Sequence, residues 1–366
     1  MTRPVGRSES ICLDREVSFD SAGVTLQASL RAPVDAAGVV PGAVIIAGSG
    51  PTDRDGNSAV PGYDGLKLDA YRWLADRLSE SGFASLRYDK LGSGATGLGP
   101  YADDPTELTC LDFDAVYVQG ARDALSHLAA TPGVDPARLL LVGHSEGGMV
   151  ALAVADDPRD APMPCGLALI ESAYGRIGDI LLRQITDQLA MAVSAGTVTA
   201  DDGATLSEWA AAGLEEIRTL TPPFLELGPP PLADPGGVTA QWQALVADTV
   251  YGRFRNQLGR TEDLVDPVAL AARRTGERTV LLTCGTKDFN TPLMTGGPPG
   301  SGVAALAAAF PEGVARLTVI NNMIHELRDV GDVALTQLTP ADFQTHPFSG
   351  RLQHEFSRFL ARWAPP

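Results

Sequence analysis

The sequence is poor in lysine, histidine, cysteine and long apolar runs, and each shortage narrows what the chain can do. Of 28 basic residues only three are lysines, Lys67, Lys90 and Lys287, against 45 acids, for a net charge of −17. With no basic run to neutralise phosphates, no nucleic acid partner is expected, and an anionic membrane surface is disfavoured for the same reason. No apolar stretch reaches the roughly 18 residues that a membrane span needs. The longest uncharged stretch, 289–311, is cut by Pro292, Pro298, Pro299 and several glycines. Residues 1–10 are polar and carry two arginines, without the h-region of roughly 7–15 apolar residues that marks a secretory signal. Four cysteines, Cys12, Cys110, Cys165 and Cys284, are scattered with no CxxC and no histidine at ligand spacing. They are expected to be reduced, mostly buried thiols of a cytoplasmic protein, with no metal site.

What is present is a globular composition, 44% hydrophobic with 39 glycines and 27 prolines in 366 residues. A single α/β domain commonly takes roughly 200–250 residues, which leaves about 100 to explain. Short apolar runs alternate with amphipathic ones, the pattern of a mostly parallel sheet flanked by helices. Strands are expected at 17–20 and 24–32 (a hairpin around 21–23), 43–47, 83–88, 139–142 and 167–170, with helices at 68–81, 113–129 and 147–155. The alternation stops at about residue 172 and resumes at 279–283, followed by a helix at 303–310, a strand at 317–320 and a last helix near 352–363. Between lie three helical stretches, 177–195, 206–220 and 238–258, and a linker at 222–235 with six prolines in fourteen residues. The expected organisation is a core of 1–171 and 277–366, interrupted by a helical cap insertion at 172–276. An insertion at this point of a parallel sheet covers the carboxyl ends of the strands, where ligands bind.

The strongest local signal is Gly143-His144-Ser145-Glu146-Gly147, a G-x-S-x-G sequence after a strand and before a helix. Such a turn is so tight that side chains two residues either side of the serine would collide, and it holds the hydroxyl proud of the sheet. A serine needs a base. Of the five histidines, His127 falls in mid-helix, His144 is expected to point away from the hydroxyl, His346 is in a polar loop and His354 on the last helix. His325 follows the last core strand by a short loop and can reach over the elbow. The base needs an acid, and Asp288 stands just past the strand at 279–283. Asp263 and Asp266 are rivals within the insertion. The oxyanion donors are expected to be the amides of Glu146 and of Ser49, with Gly50 as the alternative to Ser49, in the turn Gly48-Ser49-Gly50-Pro51. The Glu146 side chain is read as complementing the helix dipole. Asp53, Arg54 and Asp55 are read as an internally paired loop or, alternatively, as offering a contact to a polar substrate group, and Asp89 and Lys90 carry the same two readings.

The stretch 47–57 (AGSGPTDRDGN), the RYDK strand end at 87–90 with its glycine loop, the GHSEGG elbow, Gly285-Thr286-Lys287-Asp288 and the loop bearing His325 together resemble the α/β-hydrolase superfamily. They are most similar to bacterial esterases near its serine-aminopeptidase-like and dienelactone-hydrolase-like branches. The resemblance covers about 17–170 and 279–363 and not the insertion. It implies an α/β-hydrolase fold and a serine hydrolase with the catalytic residues Ser145, Asp288 and His325, no cofactor, and a small-molecule ester or acyl substrate. The turn is Ala-Gly-Ser-Gly and not the His-Gly or HGGG form of many relatives. Thioester and peptide bonds are alternatives to ester, and a non-catalytic binding protein of the same fold is a further one. The cap aromatics Trp209, Trp242, Tyr251 and Phe254 are in most such insertions the cap's own core; if some face the elbow, they form an apolar pocket there with Gly48 and Gly50. A homo-oligomer is left open.

Overall fold

A computed structural model describes residues 14–33, 38–59, 63, 65–220, 238–276, 279–295 and 301–364. The chain opens with the expected hairpin, β1 (Asp14–Ser21) and β2 (Val24–Arg31). Ser21 pairs with Val24, and both turn residues, Ala22 and Gly23, take positive φ (48° and 81°), as a two-residue turn matching the strand twist requires. Then come β3 (Val40–Ile46), α1 (Ala70–Glu80), β4 (Ala84–Tyr88), α2 (Gln119–Ala129), β5 (Val134–His144), α3 (Glu146–Asp156) and β6 (Gly166–Ile170). Five helices follow, α4 (Ile177–Ser194), α5 (Ala200–Thr219), α6 (Val238–Val246), α7 (Gln257–Asp263) and α8 (Pro267–Ala272). The last part is β7 (Val280–Gly285), α9 (Val303–Ala309), β8 (Ala315–Ile320), α10 (Pro340–Phe343) and α11 (Gly350–Leu360).

The eight strands form one sheet in the order β1-β2-β4-β3-β5-β6-β7-β8. Only β1 and β2 run antiparallel to their neighbours. Every residue of β3, β4, β6 and β7 is buried, because helices cover both faces of a parallel sheet and leave no solvated side. One face packs on α1 and α11, with Tyr71, Leu74 and Leu78 of α1 against Leu352, Phe356 and Leu360 of α11 and the sheet. The other packs on α2, α3 and α9 through Leu125, Leu128, Leu152 and Leu306. The turns at the carboxyl ends of β3, β5, β7 and β8 therefore converge at one end of the sheet, on either side of β5.

Two helices differ from expectation. The helix read at 113–129 starts with a π-helical turn, Asp114–Val118, before α2. The helix read at 238–258 is divided: α6 runs into a π-helical turn, Ala247–Gly252, and α7 restarts where Asn256 accepts from the Gly259 amide at 3.0 Å. That side-chain cap competes with continued helix. The proline-rich 222–235 lies outside the described residues. Between β6 and β7 the described residues contain helices and no strand, and they hold an apolar cluster of their own, including Leu206, Trp209, Leu214, Tyr251 and Phe254.

The thiols are less buried than their composition suggested. Cys284 is buried, Cys165 half-buried and Cys110 exposed, all unpaired, and Cys12 lies outside the described residues. Among the described residues, no His/Cys/Asp/Glu group is arranged to hold a metal, and no helix is long and apolar enough to cross a membrane.

Candidate active site

Ser145 stands between β5 and α3 with φ 54° and ψ −124°. An L-residue does not rest there unless its surroundings over-determine it. Here a Cβ on Gly143 would overlap the Gly147 carbonyl, one on Gly147 the Ile46 carbonyl, and one on Gly148 the Ser172 hydroxyl. The backbone is fastened as well: the Ser145 amide donates to the Ile170 carbonyl (3.1 Å) and its carbonyl accepts from the Ala173 amide (2.9 Å).

Ser145 and His325 line one cavity of about 320 Å³, together with Gly48, Ser49 and Glu146. His325 is carried on the loop after β8, whose turn closes through the Ile324 amide to the Arg328 carbonyl and uses left-handed Asn322 and Leu327. Its Nδ1 lies 2.8 Å from Asp288 Oδ2. Asp288, in the turn after β7, also accepts from the Thr291 amide (2.8 Å) and hydroxyl (2.6 Å). Burial alone would raise its pKa, but His325 and these donors outweigh burial and hold the carboxyl well below the usual carboxylate range. An ionised carboxylate only accepts, so Nδ1 carries the proton and Nε2 is the basic nitrogen of the neutral ring.

Burial pushes the His325 pKa down, and the Asp288 and Glu326 charges push it up, with a net rise above the ordinary value of about 6.5. A protonated ring has no free nitrogen to accept a proton, so an activity that used His325 as a base would be lost as pH fell through this raised value. The acid limb of kcat/KM for a neutral substrate, followed from pH 5 to 9, is therefore expected to have its midpoint above about 6.5. A midpoint below about 6 would contradict the pairing.

Glu171 escaped the sequence reading. It follows β6, is fully buried, and takes a positive φ of 45°. Its carboxyl accepts from the Gly285 amide (2.7 Å) and the Thr283 hydroxyl (3.1 Å). Burial, then the neighbouring Asp288 charge, raises its pKa well above the usual carboxylate range, which favours its neutral form beside Asp288. A glutamate directly after the apolar run LALI was the available signal.

His144 has partners that the sequence did not show: its side chain lines the cavity, with its ring centroid 4.7 Å from that of His325. Nε2 meets the His325 carbonyl (2.9 Å) and Nδ1 meets the Tyr71 hydroxyl (3.0 Å). Strand alternation sends this residue to the α1 side of the sheet, where Tyr71 waits. Burial, then the nearby His325, pushes its pKa down to about 3. Tyr71 lies within the helix read at 68–81, and its oxygen also accepts from the Gly48 amide (2.8 Å).

The Glu146 side chain does more than face the α3 dipole. It is buried and paired with Lys90 (3.3 Å) and with Arg253 (2.9 Å), which also holds Glu262. Burial would raise its pKa, but Lys90 and Arg253 outweigh it and the carboxyl is held down. The elbow is thereby tied to the helices between β6 and β7.

Of the residues expected at the pocket, Gly48 and Ser49 line the cavity and Gly50 does not. Gly50 is exposed, with a φ of 69° that the turn requires. Trp209, Trp242, Tyr251 and Phe254 are likewise not among the lining residues. They pack into the insertion's own cluster, because that cluster needs large side chains to exist apart from the main core. The apolar wall comes instead from Ile177, Ile180 and Leu181 of α4, with Ala173 and Leu68. No lysine or arginine is among the described lining residues, whereas Glu326 is.

The rival residues have other tasks. Asp263 accepts from the Gly178 amide (2.9 Å) and pairs with Arg218, and Asp266 caps α8. His127 stacks on Phe19, and His354 is exposed on α11. The loop after β3 is braced partly by itself, with Asp53 accepting from the Asp55 and Asn57 amides, and partly by the sheet, with Arg54 paired to Glu16 of β1 and Arg87 of β4 to Asp55.

Residues 64–204 match the family model of the serine aminopeptidases of type S33. No curated protein sequence matches the chain. Among solved structures, the chain is similar to an esterase of Pyrococcus furiosus, at 13% identity and a TM-score of 0.52 over 100% of this chain and 97% of that one. It is also similar to a proline iminopeptidase of Mycobacterium smegmatis, at 16% identity and 0.52, over 96% and 99%. An acylaminoacyl peptidase of Pyrococcus horikoshii is similar at 12% identity and 0.53, over 96% of this chain and 42% of that one. The sheet order and these shared folds give the chain the α/β-hydrolase fold, and residues 64–204 match a hydrolase family within it.

Proposed function

We propose that the chain hydrolyses carboxylic esters through an acyl-enzyme. Ser145 Oγ attacks the carbonyl carbon as His325 Nε2 takes its proton, and Asp288 stabilises the imidazolium. The amides of Ser49 and Glu146 bind the oxyanion; the first amides of a helix such as α3 have no partner within it. His325 then gives its proton to the leaving alkoxide, and water repeats the sequence on the acyl-enzyme. The observation that carries this reading is the bond of His325 to an ionised Asp288, in the cavity that a strained serine also lines. The family match favours an amide or peptide bond as the second substrate class, served by the same groups.

Residues 172–276 act in this reading as a cap on a core of 1–171 and 277–366. The support is that α4 contributes the apolar wall and Arg253 reaches Glu146. A fluorophosphonate probe tests the mechanism: one adduct is expected, on the peptide containing Ser145, and an unlabelled native protein would sink it.

The cavity also limits the substrate. At about 320 Å³ it stands at the small end of ligand pockets. With an apolar wall, a carboxylate and no lysine or arginine among its described lining residues, it favours short-to-medium, neutral or cationic substrates. Across p-nitrophenyl esters from acetyl to dodecanoyl, kcat/KM is expected to peak at short to medium chains. A succinyl monoester is expected to fall about tenfold or more below the neutral ester of equal length. Equal rates along the series, or a preference for the anion, would count against this specificity.

A further inference from the structure

We propose that Tyr71 and His144 are positioning residues, which set the oxyanion turn against the base-bearing loop through one directed chain of hydrogen bonds. The direction follows from the chain's end. The His325 carbonyl only accepts, so His144 Nε2, 2.9 Å away, carries the hydrogen. The neutral ring then has a bare Nδ1, and the Tyr71 hydroxyl 3.0 Å away donates to it. The Tyr71 oxygen accepts from the Gly48 amide at 2.8 Å. Each donor is fixed by its neighbour, and the chain joins the turn after β3 to the loop after β8 beneath Ser145.

Gly48 is held from its other side as well, since its carbonyl accepts from the Lys90 ammonium. In a trans peptide the C=O of one residue and the N–H of the next point in opposite directions. With the Gly48 carbonyl turned to Lys90, the Ser49 amide is turned away from it and fixed before substrate arrives. Preorganisation of this kind makes an oxyanion donor effective. The fit is close: a Cβ on Gly48 would lie 3.1 Å from Ser145 Cβ and 3.4 Å from the Tyr71 oxygen. Tyr71 is among the residues that line the cavity, but its hydroxyl is committed to His144 and is not itself an oxyanion donor. A charged His144 would have no bare nitrogen, so the chain needs the ring neutral, and its burial keeps it so.

This inference rests on the proposed acyl-enzyme reading for its effect on rate, and the tests separate the two. Removing a direct oxyanion donor costs about 10²–10³ in rate; loosening its support costs less. Tyr71→Phe is expected to lower kcat about 10–100-fold with KM changed by less than about twofold. Affinity for an alkylboronic acid, which mimics the tetrahedral intermediate, falls by the same factor as kcat/KM, and product affinity is unchanged. His144→Gln, whose amide reaches the place of Nε2, is expected to retain more activity than His144→Ala. In the native protein, 15N NMR is expected to show His144 protonated at Nε2 and bare at Nδ1, with the Nδ1 resonance displaced in Tyr71→Phe. A proton on Nδ1, or unchanged boronate affinity in folded Tyr71→Phe, would overturn the proposal. Absent fluorophosphonate labelling would instead overturn the acyl-enzyme reading, and the NMR tautomer would still decide the chain.

Discussion

Ser145→Ala is expected to lower kcat for the best ester by about 10⁶ and to abolish fluorophosphonate labelling, with the protein still folded. The size of the loss follows from the division of labour in the cavity. Without the hydroxyl no acyl-enzyme forms, yet the backbone donors and the pocket remain, and they account for a residual acceleration of about 10³–10⁴ over water. Folding is spared because the elbow is held by backbone: the Ser145 amide bonds to Ile170, its carbonyl to the Ala173 amide, and Gly143, Gly147 and Gly148 make room. Alanine inherits the same positive φ at no further steric cost. Undiminished labelling would mean that another serine is the nucleophile, and turnover within about tenfold of native would remove the covalent mechanism.

His325→Ala is expected to cost about 10⁵–10⁶ in kcat, close to the loss of the nucleophile itself, because the two act as a unit. His346→Ala and His354→Ala are expected to stay within about twofold. The contrast is structural. His325 Nδ1 is bound to an ionised Asp288, and the ring lines the cavity with Ser145. The His346 carbonyl serves only to hold Arg328 (2.9 Å), and His354 is exposed on the far helix α11. Steady-state rates with one neutral ester decide it. If His325→Ala retains native turnover, the base is elsewhere, and if His354→Ala fails, α11 is nearer the chemistry than its place in the fold allows.

The residues brought together in the cavity were legible to different degrees. Gly143-His144-Ser145-Glu146-Gly147 could be read because a strained turn between strand and helix demands small neighbours at fixed spacing. Asp288 and His325 could be read because both stand just past a strand's carboxyl end, where a parallel sheet gathers its loops. The partners of His144 were not legible, since the sequence shows which side of a strand a residue takes only relative to its neighbours, not what awaits it there. Tyr71, within the helix read at 68–81, was not legible for a related reason: only contact with Gly48 and His144 gives its hydroxyl a task. For the four aromatics of the insertion the sequence left two readings, and Trp209, Trp242, Tyr251 and Phe254 take the first, since a helical layer between β6 and β7 needs its own core before it can wall a pocket.

The sequence by itself determined the alternation of strands and helices, the place of the interruption and the strained serine turn. These depend on local periodicity, on glycine's freedom and on proline's restrictions, all properties of neighbouring residues. Only the tertiary structure decided which polar groups meet: Glu171 behind Asp288, Glu146 between Lys90 and Arg253, and Tyr71 between Gly48 and His144. Those pairings join residues from about 23 to more than 100 positions apart. Their charge states follow from burial and from the charged partners that oppose it, neither of which a residue possesses until the chain has closed around it.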